Sequence, residues 1–226
     1  MNILGSKLHI FKDNAFNRTS FSLHAKRTLD VFIVLGAIPL LLPIFATIAV
    51  LIKFDSRGPV IFKQTRIGKG GKPFNMYKFR SMYDADHDNA HKDFVRSLFS
   101  DQSQHTHDTI YKVIDDGRIT RIGAFLRKTS LDELPQLVNV LKGEMSLVGP
   151  RPDLPYSVEL YEQNHLKRFI VLPGITGLWQ VSGRSSTSLL EMLDLDIDYA
   201  DNWSFWLDIK ILARTIIVVI TGQGAS

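Results

Sequence analysis

The stretch VFIVLGAIPLLLPIFATIAVLI, at residues 31–52, decides how the rest of the chain is placed. It carries no charge, and its length matches the roughly 20 apolar residues that a helix needs to cross a bilayer core. Pro39 and Pro43 lie near its middle, and each removes a backbone donor from a helix. The segment alone is therefore compatible with one kinked transmembrane helix, or with a helix that breaks at the prolines and returns to its own side.

Basic residues flank this segment on both sides. Lys26 and Arg27 precede it, and Lys53 and Arg57 follow it. Because lysine and arginine accumulate on the cytoplasmic side of a membrane, the positive-inside rule selects no orientation for a straight span. A re-entrant hairpin at residues 26–57 satisfies both flanks.

The composition of the whole chain narrows the remaining possibilities. Its 226 residues include no cysteine, which excludes disulfides and cysteine-ligated zinc. The net charge of +4 is modest and no recognition-helix pattern is present, so we expect no nucleic-acid binding. Residues 1–25 show no sustained period and predict a flexible tail, while residues 58–226 suffice for one domain with its own core.

The patterns after the membrane segment predict a helix-dominated α+β fold with one small β-hairpin. Runs rich in β-branched and aromatic residues, at 59–68 and 73–82, flank the turn GKGGK. Apolar residues at helical spacing predict helices over residues 131–141 and 186–199. Three aspartates share one face of the second of these helices, which favours a solvated surface: Asp194, Asp198 and Asp201.

Two further segments carry weaker signals. Residues 84–110 are polar and rich in histidine, but Asn89 stands where a calcium-binding EF-hand loop requires glycine. We therefore predict a variable, solvated loop there. Residues 208–220 are too short to span a membrane and carry Lys210 and Arg214. This segment suits a helix lying in the membrane interface, with a buried core helix as the alternative.

An acidic pair, Asp132 and Glu133, stands at the start of the predicted apolar helix. Ser130 and Glu133 match the S-x-x-E capping box, in which the two side chains satisfy the first backbone amides of a helix. The same position allows chemistry, because a helix dipole favours ionised carboxylates there and an ionised aspartate can act as a nucleophile. The residues alone leave both explanations open.

Arginines on loops rich in glycine and proline favour the chemical explanation. Arg151 lies in Gly-Pro-Arg-Pro, where two prolines fix the backbone and the glycine permits a close approach. Arg184 ends the loop PGITGLWQVSGR, and Arg127 lies just upstream of the acidic pair. A guanidinium held in place suits bidentate recognition of phosphate. The pattern therefore indicates an anionic substrate.

Over residues 26–220, the chain resembles the bacterial sugar transferases, the monotopic phosphoglycosyl transferases. The resemblance is greatest to the small members that start exopolysaccharide assembly, especially the galactose-1-phosphate type. Two departures are that Leu42 stands where many relatives have serine, and that Pro39 is an additional helix breaker. The motifs that carry the resemblance are KRTLD (26–30), the segment broken at Pro43, YKFRSM (77–82), RKTSLDELPQLVNVLKGEMSLVGPRP (127–152), PGITGLWQVSGR (173–184) and DYADNWSFWLDIKIL (198–212).

The resemblance implies a reaction and a set of site residues. Such enzymes transfer a sugar-1-phosphate from a UDP-sugar to undecaprenyl phosphate and release UMP. Asp132 corresponds to the nucleophile and Glu133 to the second residue of the catalytic pair, and Mg²⁺ is expected at these two carboxylates. The implied substrate-binding residues are Lys78, Arg80, Arg127, Arg151, Arg184 and Asp208.

The resemblance also implies a location and partners. The membrane segment becomes a re-entrant helix broken at Pro39 and Pro43, held in the lipid at the cytoplasmic face of the bacterial inner membrane. The monomer and a homodimer both stay open. Galactose is the expected sugar, with glucose and then an N-acetylated sugar as alternatives. The competing hypothesis is a membrane-anchored module that binds an anionic ligand without turnover, and replacing Asp132 by asparagine separates the two.

Overall fold

The computed structural model describes residues 20–83, 92, 117–182 and 188–221. Single turns of 3₁₀ helix lie at Lys69–Gly71 and Leu131–Glu133, and a longer 3₁₀ segment lies at Asn164–Ile170. The architecture confirms a helix-dominated α+β fold with little sheet. In chain order the elements are α1 (Ser20–Asp55), β1 (Ile61–Ile67), β2 (Pro73–Phe79), α2 (Arg121–Thr129), α3 (Gln136–Lys142), β3 (Ser146–Val148), α4 (Pro155–Glu159), β4 (Gly174–Thr176), α5 (Leu178–Ser182), α6 (Leu189–Asp201) and α7 (Phe205–Thr221).

Helix α1 runs without interruption through Pro39 and Pro43, so the predicted break at these prolines is not found. Each proline removes one backbone hydrogen bond, but the remaining bonds of the ladder suffice to keep the segment helical. The Thr47 hydroxyl donates to the carbonyl of Pro43 at 2.9 Å, where it adds a bond next to the weakened turn. The helix also begins at Ser20, within the stretch predicted as tail.

Helix α1 is fastened to the rest of the protein at both ends. Near its start, Lys26 Nζ pairs with Asp208 at 2.6 Å. At its end, the Asp55 carboxylate accepts from the Ile122 amide at 3.0 Å. Between the two attachments, Leu40 is 73 % exposed. By length and composition this helix could cross a membrane. Only 11 % of its most apolar 18-residue stretch is buried within the protein.

The predicted hairpin is confirmed. Strands β1 and β2 pair antiparallel, with Ile61 opposite Phe79 and Ile67 opposite Pro73. The turn between them contains Gly70, whose φ of 68° lies in the left-handed region that glycine adopts at little cost. The hairpin therefore places Lys78, at the end of β2, on a rigid support.

A second, parallel pair of strands brings the two glycine-rich loops together. Strands β3 and β4 place Val148 opposite Thr176, and the Gly149 amide donates to the Thr176 carbonyl at 2.9 Å. A Cβ atom added at Gly149 would lie 2.3 Å from the Leu172 carbonyl oxygen. The close approach that this glycine permits is thus between two backbones, and it fixes the start of the loop that carries Arg151.

The C-terminal helices agree with the patterns of their sequences. In α6, the three aspartates predicted on a solvated face are exposed, whereas Asp196 is completely buried. Helix α7 covers the predicted segment and buries Ile211, while Trp206 and Ile216 are 71 % and 62 % exposed. This apolar outer face suits the membrane interface, and that location stays a prediction.

Candidate active site

The acidic pair lies in a tight turn between two helices. Ser130 ends α2 with a φ of 57°, and its amide donates back to the Arg127 carbonyl at 3.2 Å. The 3₁₀ turn Leu131–Glu133 follows directly, and the proline at 135 delays the start of the next helix to Gln136. The Ser130 side chain makes no capping bond. The capping-box interpretation of this motif is therefore wrong.

Glu133 is held by two basic side chains from different elements. Lys78 Nζ lies 3.1 Å from Glu133 Oε1. Arg151 approaches the same carboxylate with both terminal nitrogens, at 2.6 Å to Oε1 and 3.4 Å to Oε2. This bidentate contact joins the acidic turn to the loop after β3, while the lysine joins it to β2.

The two adjacent carboxylates have opposite electrostatic environments. Burial favours the protonated form of Glu133, but the charges of Arg151 and Lys78, with their hydrogen bonds, outweigh it and hold its pKa far below the ordinary range. Burial raises the pKa of Asp132 despite the opposing charge of Lys78, and the charge of Glu133 raises it further. Burial also lowers the pKa of Lys78, an effect that Glu133 partly offsets.

The Asp132 carboxylate is available to bind a ligand. Asp132 is only 8 % exposed. Within the described parts of the chain, its carboxylate accepts no hydrogen bond, whereas both oxygens of Glu133 are engaged. An ionisable carboxylate that is buried, unpaired and close to cations can attack an electrophile or bind a metal ion.

Two more basic residues, Arg127 and Arg184, are predicted to lie near the acidic pair. The charge of Arg127 lowers the pKa of Asp132, which places the guanidinium in its electrostatic surroundings, and Arg127 Nη1 contacts the Met82 sulfur at 3.6 Å. Arg184 lies outside the described residues, as does the predicted 84–110 loop apart from Lys92. The structure thus brings Lys78 and Arg151 into contact with Glu133, while Arg127 acts on Asp132 through its charge alone.

Arg80 does not take part in this group. Strand β2 ends at Phe79, so the alternation that directs Lys78 towards Glu133 no longer governs the side chain two residues later. Arg80 Nη2 instead donates to the Ser56 carbonyl at 2.7 Å and to its hydroxyl at 3.0 Å. Arg80 thereby secures the chain just after α1, and its role in substrate binding stays a prediction.

Asp208 has a structural environment as well. Its two carboxylate oxygens accept from Lys26 at 2.6 Å, from the Tyr199 hydroxyl at 2.7 Å and from the Trp203 indole at 3.0 Å. The residue is 2 % exposed. These contacts join α1, α6 and α7, and the contact of Asp208 with substrate stays a prediction.

Sequence reasoning missed Arg168. This arginine is fully buried in the 3₁₀ segment at 164–170, and its Nη2 donates to the Arg151 carbonyl at 2.8 Å. Nothing in the local sequence distinguishes it from the exposed basic residues that most loops carry. The signal is the three-dimensional contact with the loop that holds Arg151.

The donor set can be tested for the expected Mg²⁺. Among the described residues, no three histidine or acidic side chains converge as a ready-made metal cage. Mg²⁺ commonly binds through one or two carboxylates, with water and substrate phosphates completing its coordination. Asp132 fits that role because its carboxylate has no hydrogen-bond partner in the described part of the chain, whereas Glu133 is engaged by Lys78 and Arg151.

Comparison with known proteins identifies the family of this chain. A family model described as "Bacterial sugar transferase" matches residues 21–222, so the chain belongs to the bacterial sugar transferase family. It is similar to the galactosyl transferase CpsE of Streptococcus agalactiae, with 46 % identity over 89 % of this chain and 43 % of that protein.

Two further relatives differ in how much of their own length this chain covers. The UDP-glucose:undecaprenyl-phosphate glucose-1-phosphate transferase of Escherichia coli is 41 % identical over 88 % of this chain and 41 % of its own length. The exopolysaccharide production protein ExoY of Rhizobium meliloti is 40 % identical over 89 % of this chain and 88 % of its own length. The chain thus spans about two fifths of the first two relatives and most of the third.

Proposed function

We propose that this protein transfers a sugar-1-phosphate from a UDP-sugar to undecaprenyl phosphate and releases UMP, as the first membrane step of exopolysaccharide synthesis. Membership of the family supports the reaction class. The observation that carries the proposal is the pairing of one free and one clamped carboxylate, Asp132 beside Glu133, among three basic side chains.

The proposed chemistry has two displacements at one phosphorus atom. Asp132 attacks the phosphorus that bears the sugar, a new carboxylate–phosphorus bond forms, and the bond to the UMP oxygen breaks with its electrons leaving on UMP. A phosphate oxygen of the polyprenyl carrier then attacks the same phosphorus. The Asp132–phosphorus bond breaks, and the free carboxylate is regenerated.

The basic residues stabilise charge during both displacements. Donor and acceptor are anionic, so negative charge accumulates around the reacting phosphorus and fixed cations lower the barrier. Arg151 is held against Glu133 before substrate arrives, which means that little reorganisation is needed. The Glu133 carboxylate positions Lys78 and Arg151, and in this arrangement it is their counter-ion rather than a second nucleophile.

Mg²⁺ is proposed as the cofactor, with Asp132 as its protein ligand. The ion would supply Lewis-acid neutralisation of the donor diphosphate. The chain's own contribution is to keep the Asp132 carboxylate free of hydrogen bonds from the described residues, near the charges of Lys78, Arg127 and Arg151. Glu133 would join the metal only after releasing one of its present partners.

We further propose that α1 enters and leaves the bilayer on the cytoplasmic face of the inner membrane. Both ends of this helix are bonded to the same domain, while its apolar middle is exposed. Basic residues flank the apolar stretch of this helix on both sides, as the excess of lysine and arginine on the cytoplasmic side of membranes predicts. Two prolines within one helix allow the bend that such a path needs.

The sugar is proposed to be galactose, with glucose as the alternative. The similarity to a relative named as a galactosyl transferase supports the first, and the similarity to one named for UDP-glucose supports the second. Neither sugar is distinguished by the described site, because Lys78, Arg127 and Arg151 are suited to phosphate rather than to a hydroxyl pattern.

The testing experiment incubates membrane-embedded protein with Mg²⁺ and a panel of UDP-sugars labelled in the sugar, with and without undecaprenyl phosphate. We expect one donor to release UMP continuously with the acceptor. Without it, the same donor should leave label on the protein at no more than one sugar per chain. Label that depends on Asp132 identifies the intermediate. UDP-sugar binding without UMP release from any donor would instead favour the non-catalytic binding module.

A further inference from the structure

Arg168 is the centre of a buried charged network next to the active site. Its side chain is completely buried and forms ion pairs with Asp153 and Asp196. Its Nη1 donates to the Tyr161 hydroxyl at 3.1 Å, and that hydroxyl donates to Asp153 at 2.5 Å. Of this group, the contact nearest the reacting residues is the hydrogen bond from Arg168 Nη2 to the Arg151 carbonyl at 2.8 Å.

That hydrogen bond is one of three that fix the backbone beside Arg151. The next carbonyl, of Pro152, accepts from Arg66 Nη1 at 3.1 Å, and the carbonyl of Asp153 accepts from the Ile67 amide at 2.9 Å. Three consecutive carbonyls are therefore held by the 3₁₀ segment and by β1. Two of the three bonds come from guanidinium groups, whose planar fork fixes direction as well as distance.

The network is better explained by placement than by stability. Burying one arginine with two aspartates carries a large desolvation cost, and apolar residues of similar volume often give equal or greater stability. What an apolar residue could not supply is a donor to the Arg151 carbonyl. That bond holds the backbone from which the Arg151 side chain reaches Glu133.

We propose that Arg168 is a positioning residue that orients Arg151 for the diphosphate of the donor. This inference rests on the proposed function, since it assumes that Arg151 binds donor phosphate. Arg168 has no contact with the acidic pair in the described residues, so its effect on ligand must pass through Arg151. Loss of Arg168 should therefore matter only while the Arg151 guanidinium is present.

A double-mutant cycle in the full chain tests this dependence, with UDP and Mg²⁺ as the probe and calorimetry as the readout. Arg168→Lys keeps the positive charge between the aspartates but loses the fork. We expect it to weaken UDP binding about 10-fold in the natural background, and less than 2-fold in the Arg151→Ala background. A purely structural role would lower the unfolding temperature and reduce affinity by the same factor in both backgrounds.

Arg27→Lys is the matched control. Arg27 also donates to two backbone carbonyls, those of Val140 and Leu141, but it lies on α1 and outside the site. Its substitution should change UDP affinity less than 2-fold. If Arg168→Lys does not fold, Asp196→Asn unbalances the same network while keeping Arg168, and about a 3-fold loss that again requires Arg151 is expected.

The outcomes separate this inference from the proposed function. Equal losses in the two Arg151 backgrounds, or no loss in either, would overturn the positioning role while wild-type UDP binding still supports the donor site. Failure of the wild-type protein to bind UDP would overturn the donor site and the positioning role together.

Discussion

Two tetrapeptides of this chain differ at one position and have different roles. Ser130-Leu-Asp-Glu133 and Ser188-Leu-Leu-Glu191 both match the S-x-x-E capping box. Only the second forms one. The Ser188 hydroxyl accepts from the Glu191 amide at 3.3 Å, and the Ser188 amide donates to the Glu191 carboxylate at 2.9 Å. In the first, the glutamate turns to Lys78 and Arg151.

The difference comes from the residues on either side. Ser188 has extended backbone geometry, as a helix N-cap requires. Ser130 follows α2 without a linker and must end that helix, which puts it in the left-handed region and turns its side chain away from the next turn. The S-x-x-E motif therefore predicts a cap only where the preceding structure allows the serine to adopt extended backbone geometry. Basic side chains nearby can also bind the glutamate and remove it from the cap.

The largest expected effect is on the rate of UMP release, at the one position where the two tetrapeptides differ. Asp132→Asn should reduce UMP release by about 10³-fold or more, because an amide cannot act as the nucleophile. Leu190→Asn, at the matching exposed position of the other tetrapeptide, should leave the rate within about 2-fold. Steady-state rates with the best UDP-sugar measure both. Turnover of Asp132→Asn close to wild type would exclude this aspartate as the nucleophile.

The two glutamates should differ next most. Glu133→Gln removes the counter-ion of Lys78 and Arg151, and we expect a loss of about 2 kcal/mol in the free energy of unfolding. Glu191→Gln should change stability by less than about 0.5 kcal/mol, because glutamine also completes a capping box. Denaturant unfolding at pH 7 measures the pair. Equal effects would show that the ion pairs around Glu133 contribute no more than an exposed cap.

The effect at Glu133 should also depend on pH with a defined sign. The folded protein holds the pKa of Glu133 well below its ordinary value of 4.5. The stabilisation from its ionised form is therefore complete above about pH 4.5 and is lost as pH falls further. The stability difference between wild type and Glu133→Gln should narrow below pH 4.5. A difference that widens on acidification would contradict the depressed pKa.

The serines should respond more weakly. Ser188→Ala removes the side-chain acceptor that caps α6, and it should cost about 1 kcal/mol. Ser130→Ala, by contrast, removes no capping acceptor. Thermal unfolding in the same lipid or detergent compares these substitutions. If Ser188→Ala costs nothing, then the capping box at α6 does not contribute to stability.

The smallest expected effect has the opposite sign. Ser130→Gly should stabilise the protein by about 0.5 kcal/mol, because glycine adopts the left-handed conformation without a Cβ penalty. The same substitution at Ser188 should cost a few tenths of a kcal/mol. The unfolding temperatures of the two glycine variants should therefore move in opposite directions. A decrease in both would indicate that Ser130 contributes contacts beyond its backbone geometry.

Much of the fold could be predicted because its signals are local. The hairpin around GKGGK and the helix near the C-terminus follow from residue type and periodicity. The parallel strands β3 and β4 could not be predicted, since three residues are too few to show an alternation. Whether the prolines break α1 also depends on their surroundings, because a helix with its other hydrogen bonds intact tolerates them.

The site was predictable where a motif gathers the residues and not where distant contacts do. Asp132, Glu133 and Arg151 lie in one continuous stretch, and the structure brings them together. By contrast, the sequence does not show that Asp208 pairs with Lys26 on α1. Nor does it show that Arg80 donates to Ser56, just after that helix. A charged side chain can be recognised in a sequence, whereas the element that neutralises it cannot.

The attachment of α1 at both ends has a kinetic consequence in the proposed membrane arrangement. A catalytic domain fastened at Lys26 and at Asp55 cannot swing on a tether, so its height above the lipid headgroups is constant. Its encounter with the carrier lipid is then a two-dimensional search by lateral diffusion. The rate of the second displacement should follow the surface density of carrier in the bilayer, and diluting the vesicles in buffer at constant lipid composition should leave it unchanged.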